Sequence, residues 1–271
     1  MSKIKDTIEE KKEFARTEPI QGEPKGYEFN DKRHIHTLDG KSLTGCTTIL
    51  GVIAKPMLIQ WAANMAVEYI IKVAKPIYET EGVKLEDTYL INGEQLNEAK
   101  TAHRRKKEEA GQKGTDIHFE VEKLVKDAIQ RNKGIIDIDT KSEFPQVQHF
   151  INWAIENNVK FLESEKHIYS KSLWLGGIVD IVCEINGEVW ITDIKTGSGI
   201  YPEAFAQMAG YELMLKEMGM KEPVKGHIVL NLKKDGTFQE KRSVSTEDAK
   251  NFFLACVQVY RLQEKFNNQI I

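Results

Sequence analysis

The stretch from Leu173 to Tyr211 reads LWLGGIVDIVCEINGEVWITDIKTGSGIYPEAFAQMAGY. It contains two β-rich runs, IVDIVCEI and EVWITDIK, separated by Asn186-Gly187. Asn-Gly between such runs is the strongest short signal for a two-residue type I′ turn, so we expect a β-hairpin. Pro202 then favours the start of a helix. The stretch therefore predicts a hairpin, a short loop and a helix, around which the rest of the chain is placed.

The turn also sets which residues face each other across the hairpin. The predicted cross-strand pairs are Ile185 with Glu188, Val182 with Ile191, Ile181 with Thr192, and Asp180 with Asp193. Because strand side chains alternate between the two faces, Lys195 shares one face with both aspartates. One face of the hairpin therefore carries two carboxylates and an ammonium.

Two carboxylates placed directly opposite each other are unusual on an otherwise apolar hairpin. Like charges in that position destabilise a sheet, and a divalent cation that takes oxygen ligands removes the conflict. A neighbouring ammonium adds positive charge where a phosphoryl transition state becomes more negative. The alternative is a hairpin without a metal, whose charged side chains lie on a solvent-exposed face. We favour the metal site, because register and alternation coincide at these residues.

The same residues resemble the signature of a known nuclease superfamily. The PD-(D/E)xK nucleases carry an Asp at the end of one strand and Asp/Glu-x-Lys on its hairpin partner. This chain has Asp180 followed by Asp193-Ile194-Lys195. The resemblance implies a restriction-endonuclease-like core and a metal-dependent nuclease.

Two further motifs resemble the RecB-like branch of that superfamily. Gln207-Met-Ala-Gly-Tyr211 is similar to its QxxxY motif, and GTDIH, which ends at His118, is similar to its upstream histidine motif. The resemblance covers about residues 113 to 232. GCTTILG, which begins at Gly45, extends it towards phage exonucleases and the mitochondrial genome maintenance exonuclease.

The length of the chain and its pattern of elements predict an α/β fold. A chain of 271 residues with 41% hydrophobic content suits one α/β domain with an elaboration. We expect a central mixed β-sheet flanked by helices. The predicted parts are a flexible lead-in over residues 1–26, an N-terminal β-hairpin and helical elaboration over residues 27–112, and the nuclease core with a C-terminal helix over residues 113–271. One helix is expected over Gly93–Ala110 and another from Thr115, a favourable N-cap.

The composition favours a cytoplasmic protein, and the resemblance implies a bacterial or phage-infected host cell. No apolar run approaches the roughly 20 residues needed to span a bilayer, so we expect no membrane segment. Cys46, Cys183 and Cys256 are scattered along the chain, which is typical of free thiols in a reducing compartment. Some RecB-like nucleases hold an iron–sulfur cluster on four cysteines. Three scattered cysteines cannot do so, and we therefore expect no such cluster.

Any contact with DNA has to come from local patches, because the net charge of the chain is −3. The strongest patch is the run from His103 to Lys107, in which Arg104, Arg105 and Lys106 are candidate DNA contacts. The alternative is a solvated helix face, because two glutamates follow the run immediately and dilute its charge.

The resemblance also implies roles for the site residues. The implied ligands of one or two Mg²⁺ or Mn²⁺ ions are Asp180, Asp193, His118 and the backbone carbonyl of Ile194. Lys195 orients the attacking water or stabilises developing charge, and Gln207 and Tyr211 orient the substrate strand or the lysine. Without the resemblance, a lone histidine on a helix is usually a packed or capping residue. Glu122 is a weaker candidate for a partner of the histidine, and Glu165 either reaches the same site or is an edge-strand charge.

The function that the resemblance implies is a metal-dependent DNA exonuclease. It hydrolyses phosphodiester bonds in phage or bacterial DNA recombination, replication or repair. The implied substrate is DNA that is single-stranded or has a free end, and the implied protein partner is a recombination or single-strand-binding protein. Two alternatives stay open: a structure-specific endonuclease of the same fold, and a catalytically silent DNA-binding subunit. The complete set of Asp180, Asp193 and Lys195 argues against the silent subunit.

Overall fold

The computed structural model describes residues 26–76, 89–131 and 133–270. Residues 1–25 of the predicted lead-in therefore lie outside the described residues. The strands are β1 Tyr27–Asn30, β2 Ile35–Leu38, β3 Lys41–Ser42, β4 Thr44–Gly45, β5 Lys75–Pro76, β6 Tyr89–Leu90, β7 Lys160–Ser170, β8 Leu175–Ile185, β9 Glu188–Lys195, β10 Val224–Leu232 and β11 Phe238–Ser243. The α-helices are α1 Cys46–Ile49, α2 Pro56–Val73, α3 Gly93–Arg131, α4 Pro145–Glu156, α5 Pro202–Glu217 and α6 Thr246–Asn267.

The protein has an α/β fold with a central mixed sheet, as the sequence predicts. The strands β11, β10, β9 and β8 lie side by side in that order, and β7 pairs antiparallel with β8 along most of its length. Strands β9 and β10 are parallel, and α5 connects them. The strands β1, β2 and β3 form a separate three-stranded sheet that contains the predicted N-terminal hairpin.

Two hydrophobic cores lie on opposite faces of the central sheet. The first core joins the sheet to α5 and α6, and Ile191, Met208 and Phe253 are fully buried in it. The second core joins the sheet to α3 and α4, and contains Val121 and Phe150. Both faces of the sheet are therefore covered by helices, and polar groups between these layers are shielded from water.

The central hairpin has the predicted turn. Asn186 and Gly187 have φ angles of 53° and 78°, as a type I′ turn requires at both central residues. The ladder has the predicted register from Ile185 with Glu188 as far as Ile181 with Thr192, but it does not reach the predicted pair of Asp180 and Asp193. Because Ile191 and Ile194 lie in different cores, the predicted alternation of β9 between its two faces is also confirmed.

The helix α3 differs from the prediction. It runs without interruption over Gly93–Arg131, so the prediction of a second helix beginning at Thr115 is wrong, and the helix continues across the predicted boundary between residues 112 and 113. A glycine inside a helix costs about 1 kcal/mol relative to alanine, which is why the segment containing Gly111 reads as a break. The helix packs against α2 in its first part and against β7 and the second core in its last part. Packing on both sides of the glycine outweighs its local preference.

Among the described residues, no single helix is both long and apolar enough to cross a membrane. The segments Cys46–Val52 and Pro56–Val73 meet that test of length and composition only as a pair, and they are bent by 92° relative to each other.

Candidate active site

The candidate site lies at a gap in the central sheet. On one edge of β8, the ladder with β9 ends at Ile181 and Thr192, and β4 pairs with Leu175 and Gly176. Between these two ladders, residues 177–180 of β8 have no paired strand on that edge within the described part of the chain. Strand β7 occupies the other edge. The gap therefore opens where β8 carries Asp180.

The gap corrects the predicted pairing of the two aspartates. The ladder stops one pair before Asp180 and Asp193, so they are not paired ladder residues. Val179 and Val182 both lie in the first core, which shows that the strict alternation of β8 is broken between them. The Oδ2 atom of Asp180 instead accepts a hydrogen bond from the backbone N–H of Ile194 at 2.8 Å. A side-chain carboxylate thus replaces the missing main-chain acceptor.

Asp193 and Lys195 form a close pair on β9. Asp193 is 3% exposed, and its Oδ1 accepts a hydrogen bond from Lys195 Nζ at 2.8 Å. Its Oδ2 lies 2.7 Å from the same ammonium but lacks the alignment of a hydrogen bond. Burial raises the pKa of Asp193 to about 7, with Lys195 lowering it and Asp180 raising it further. Burial alone would lower the pKa of Lys195, but the two aspartates outweigh that effect and raise it.

Glu165 joins this cluster from β7. Its neighbours Ser164 and Lys166 pair with Ile181 and Val179, which puts Glu165 beside Asp180. Its φ angle of 49° lies in the left-handed region, which is uncommon for a residue with a side chain. Burial raises the pKa of Glu165 to about 9, and the nearby charges of Asp180, Glu122 and Asp193 contribute to the shift. Of the two alternatives that the sequence left open, the structure supports the one in which Glu165 reaches the site.

Helix α3 adds Glu122, and its contribution is electrostatic. Glu122 helps to raise the pKa of Glu165, and its carboxylate also pairs with Lys126 at 2.6 Å. His118 lies one helical turn before Glu122 and is half-buried. Among the residues that the structure describes, no ion pair or side-chain hydrogen bond joins His118 to the carboxylates of the site, so its role as a metal ligand stays a prediction. The same holds for the backbone carbonyl of Ile194.

Helix α5 places Gln207 and Tyr211 of the predicted motif over the face of the sheet that belongs to the first core. Tyr211 is 6% exposed, and its hydroxyl oxygen accepts a hydrogen bond from Gln207 Nε2 at 2.5 Å. Burial raises the pKa of Tyr211, and the charges of Asp180 and Asp193 raise it further. A Cβ atom on Gly177 would lie 2.7 Å from the tyrosine ring, so a glycine on β8 is needed for this close packing. The tyrosine thus borders the gap that exposes Asp180.

The basic run lies on α3, in the part of that helix that packs against α2. Arg105 donates hydrogen bonds to Thr101 and to the carbonyl of Glu98, and its guanidinium lies 5.0 Å from the centre of the Tyr69 ring. The side chain of Lys106 is 64% exposed, and Arg104 is also exposed. Arg105 is therefore engaged in packing the helix pair, whereas Arg104 and Lys106 face solvent. Their contact with DNA stays a prediction.

The donor set suits a hard divalent cation, although it is not arranged around one. Within residues 26–76, 89–131 and 133–270, no three His, Cys, Asp or Glu side chains are already placed to hold a metal ion. Asp193 has a buried oxygen without a hydrogen bond, and Asp180 and Glu165 add further oxygens beside it. Mg²⁺ and Mn²⁺ prefer such oxygen ligands. The residues fit such a cation once the ammonium of Lys195 moves away from Asp193.

Comparisons with known proteins do not assign the chain to a family. No protein-family model matches it, and no curated protein matches it. A solved structure described as the crystal structure of SSO0001 is similar over 54% of this chain and 87% of that chain, with 12% identity and a TM-score of 0.25. A likeness at that level does not define a shared fold.

Proposed function

We propose that this protein is a metal-dependent DNA exonuclease that hydrolyses phosphodiester bonds, acting in phage or bacterial DNA recombination, replication or repair. The observation that carries the proposal is the cluster of Asp180, Asp193, Glu165 and Lys195 at the gap between β8 and β9. Partly or fully buried carboxylates whose charges raise the pKa of their neighbours destabilise a fold that holds no cation. Such a cluster is typical of a site that binds positive charge.

The chemistry follows from the donors at the gap. A divalent cation held by these oxygens would lower the pKa of a bound water and polarise the scissile phosphate. Asp180 and Asp193 supply oxygen ligands, and the ammonium of Lys195 orients the attacking water or stabilises the charge that develops on the phosphate. Tyr211 and Gln207 border the same gap and orient the substrate strand or the lysine.

The choice of an exonuclease acting on DNA rests on the sequence resemblance. A structure-specific endonuclease of the same fold uses the same residues, so the site alone does not separate the two. A catalytically silent DNA-binding subunit is disfavoured by the buried pair of Asp193 and Lys195, because such a subunit gains nothing from keeping an acid whose pKa is raised to about 7.

A substrate panel tests the proposal. The purified protein is incubated with 5′-labelled and 3′-labelled single-stranded, double-stranded and circular DNA in Mg²⁺, Mn²⁺ or EDTA. We expect shortening of linear DNA in the presence of either metal, no cleavage of the circle, and no reaction in EDTA. Cleavage of the circle would support the endonuclease instead. Binding of DNA without cleavage in either metal would support the silent subunit.

A further inference from the structure

The side chain of Asn231 on β10 has no assigned role and no partner among the described residues. Asn231 is fully buried, and neither its Oδ1 nor its Nδ2 atom makes a hydrogen bond. An amide offers two donors and an acceptor, and leaving them unsatisfied in a protein interior lowers stability. Most buried polar groups are bonded, and an exception calls for a functional explanation.

The position of Asn231 on the sheet indicates what that explanation is. In the parallel ladder of β9 and β10, Asn231 pairs with Lys195 and Val229 pairs with Asp193. Paired residues of neighbouring strands put their side chains on the same face of the sheet. Asn231 is therefore the neighbour of Lys195 on the face that carries the aspartate.

Lys195 needs a second acceptor if the site binds a cation. Both oxygens of Asp193 lie within 2.8 Å of the Lys195 ammonium in this structure. When Asp193 turns these oxygens to a divalent cation, the ammonium loses its acceptor and is repelled by the added positive charge. The amide oxygen of Asn231 is neutral, unpaired and adjacent in register.

We propose that Asn231 is a positioning residue that accepts the ammonium of Lys195 when a divalent cation occupies Asp193, and so holds the lysine against the reacting phosphate. This inference rests on the proposed metal-dependent function. It explains why an amide without a hydrogen bond is kept in the layer between β10 and the helices.

The substitution Asn231→Leu tests the inference, because leucine has a similar size and no polar atoms. In EDTA the variant should melt at or above the wild-type temperature, since an unsatisfied amide is removed. Millimolar Mn²⁺ should raise its melting temperature by less than it raises that of the wild type. Single-turnover cleavage of DNA should fall by about 10- to 100-fold, with the DNA concentration for half-maximal rate unchanged.

The control is Thr192→Val, which also replaces a buried polar group by an apolar group of similar shape. Thr192 is fully buried on the opposite face of β9, so this variant should keep the wild-type Mn²⁺ shift and rate. Asn231→Ala provides the same comparison should leucine not fit. The inference would be overturned if either Asn231 variant had the wild-type cleavage rate and the wild-type rise in melting temperature with Mn²⁺. It would also be overturned if a variant melted well below the wild type in EDTA while Mn²⁺ raised its melting temperature as much as that of the wild type. A wild-type protein with neither a Mn²⁺ shift nor cleavage would instead contradict the proposed function.

Discussion

Replacing Glu165 by glutamine should stabilise the metal-free protein at neutral pH. The folded-state pKa of Glu165 is about 9, against an ordinary value of 4.5. For a carboxyl group whose pKa is raised on folding, the cost in stability is absent below pH 4.5, grows as the pH rises, and is complete above the folded-state pKa. Glu165→Gln keeps the shape of the side chain and removes that cost.

The size of the effect follows from the pKa. The ordinary pKa of 4.5 lies two and a half units below pH 7, which corresponds to a cost in stability of at most about 3.4 kcal/mol. Glu165 is only half-buried, and solvent screens part of the repulsion from Asp180 and Glu122, so we expect about 1 to 2 kcal/mol. For a chain of this size, that gain raises the melting temperature by about 2 to 8 °C.

Thermal melting in EDTA at pH 5 and pH 7 measures the gain. The difference between Glu165→Gln and the wild type should be clear at pH 7 and should shrink towards zero at pH 5. Glu184→Gln is the matched control, because Glu184 lies on the same sheet and faces Lys160 at 3.9 Å across the strands. It should give no gain at either pH. Two results would show that electrostatic repulsion does not destabilise the cluster. In the first, Glu165→Gln melts at or below the wild-type temperature at pH 7. In the second, its melting temperature exceeds that of the wild type by the same amount at both pH values.

Three further outcomes follow from the structure. Lys195→Ala should abolish metal-dependent cleavage. It should also lower the melting temperature in EDTA at pH 8, because Asp193 loses its ammonium partner. Mn²⁺ should reduce this loss of stability, and an unchanged melting temperature in EDTA would contradict the pairing of Lys195 with Asp193. Tyr211→Phe removes the hydroxyl that binds Gln207, so the single-turnover rate should fall by about 10-fold with little change in melting temperature. A wild-type rate would show that Tyr211 has no role in the reaction. Glu217→Ala should cost about 1 kcal/mol of stability without changing cleavage, because the carboxylate accepts hydrogen bonds from the turn after β7. Since the pKa of Glu217 is lowered on folding, this loss should be full above pH 4.5 and fade as the pH falls below it, as urea titrations over that range would report.

The hairpin was predictable because its signals are local. Asn186-Gly187 specifies the turn, and the turn fixes the register of the residues next to it, so the pairing from Ile185 to Thr192 follows by counting. The burial of alternate residues of β9 in two cores follows from the same count. The turn does not determine the surroundings of Asp180, because β9 separates from β8 before that residue and β4 pairs with β8 further along the same edge.

Other parts of the site depend on contacts between distant segments. The left-handed backbone of Glu165 has no signal in its own sequence, which contains no glycine or turn residue at that position. The pairing of Asn231 with Lys195 depends on how the chain returns to the sheet after α5, and a parallel register of this kind is not set by a turn. The continuity of α3 past Gly111 likewise depends on packing against β7 and α2.

The most direct test of a metal-dependent nuclease site is the rate of DNA shortening as a function of Mn²⁺ concentration. End-labelled linear DNA is mixed with an excess of the wild type, Asp193→Asn or Glu184→Gln, and the product is followed in a single turnover. For a metal-dependent site at Asp193, we expect no reaction of the wild type in EDTA, a rate that rises and saturates with Mn²⁺, the same curve for Glu184→Gln, and no cleavage by Asp193→Asn at any concentration. Cleavage by the wild type in EDTA, or by Asp193→Asn at the wild-type rate, would contradict it.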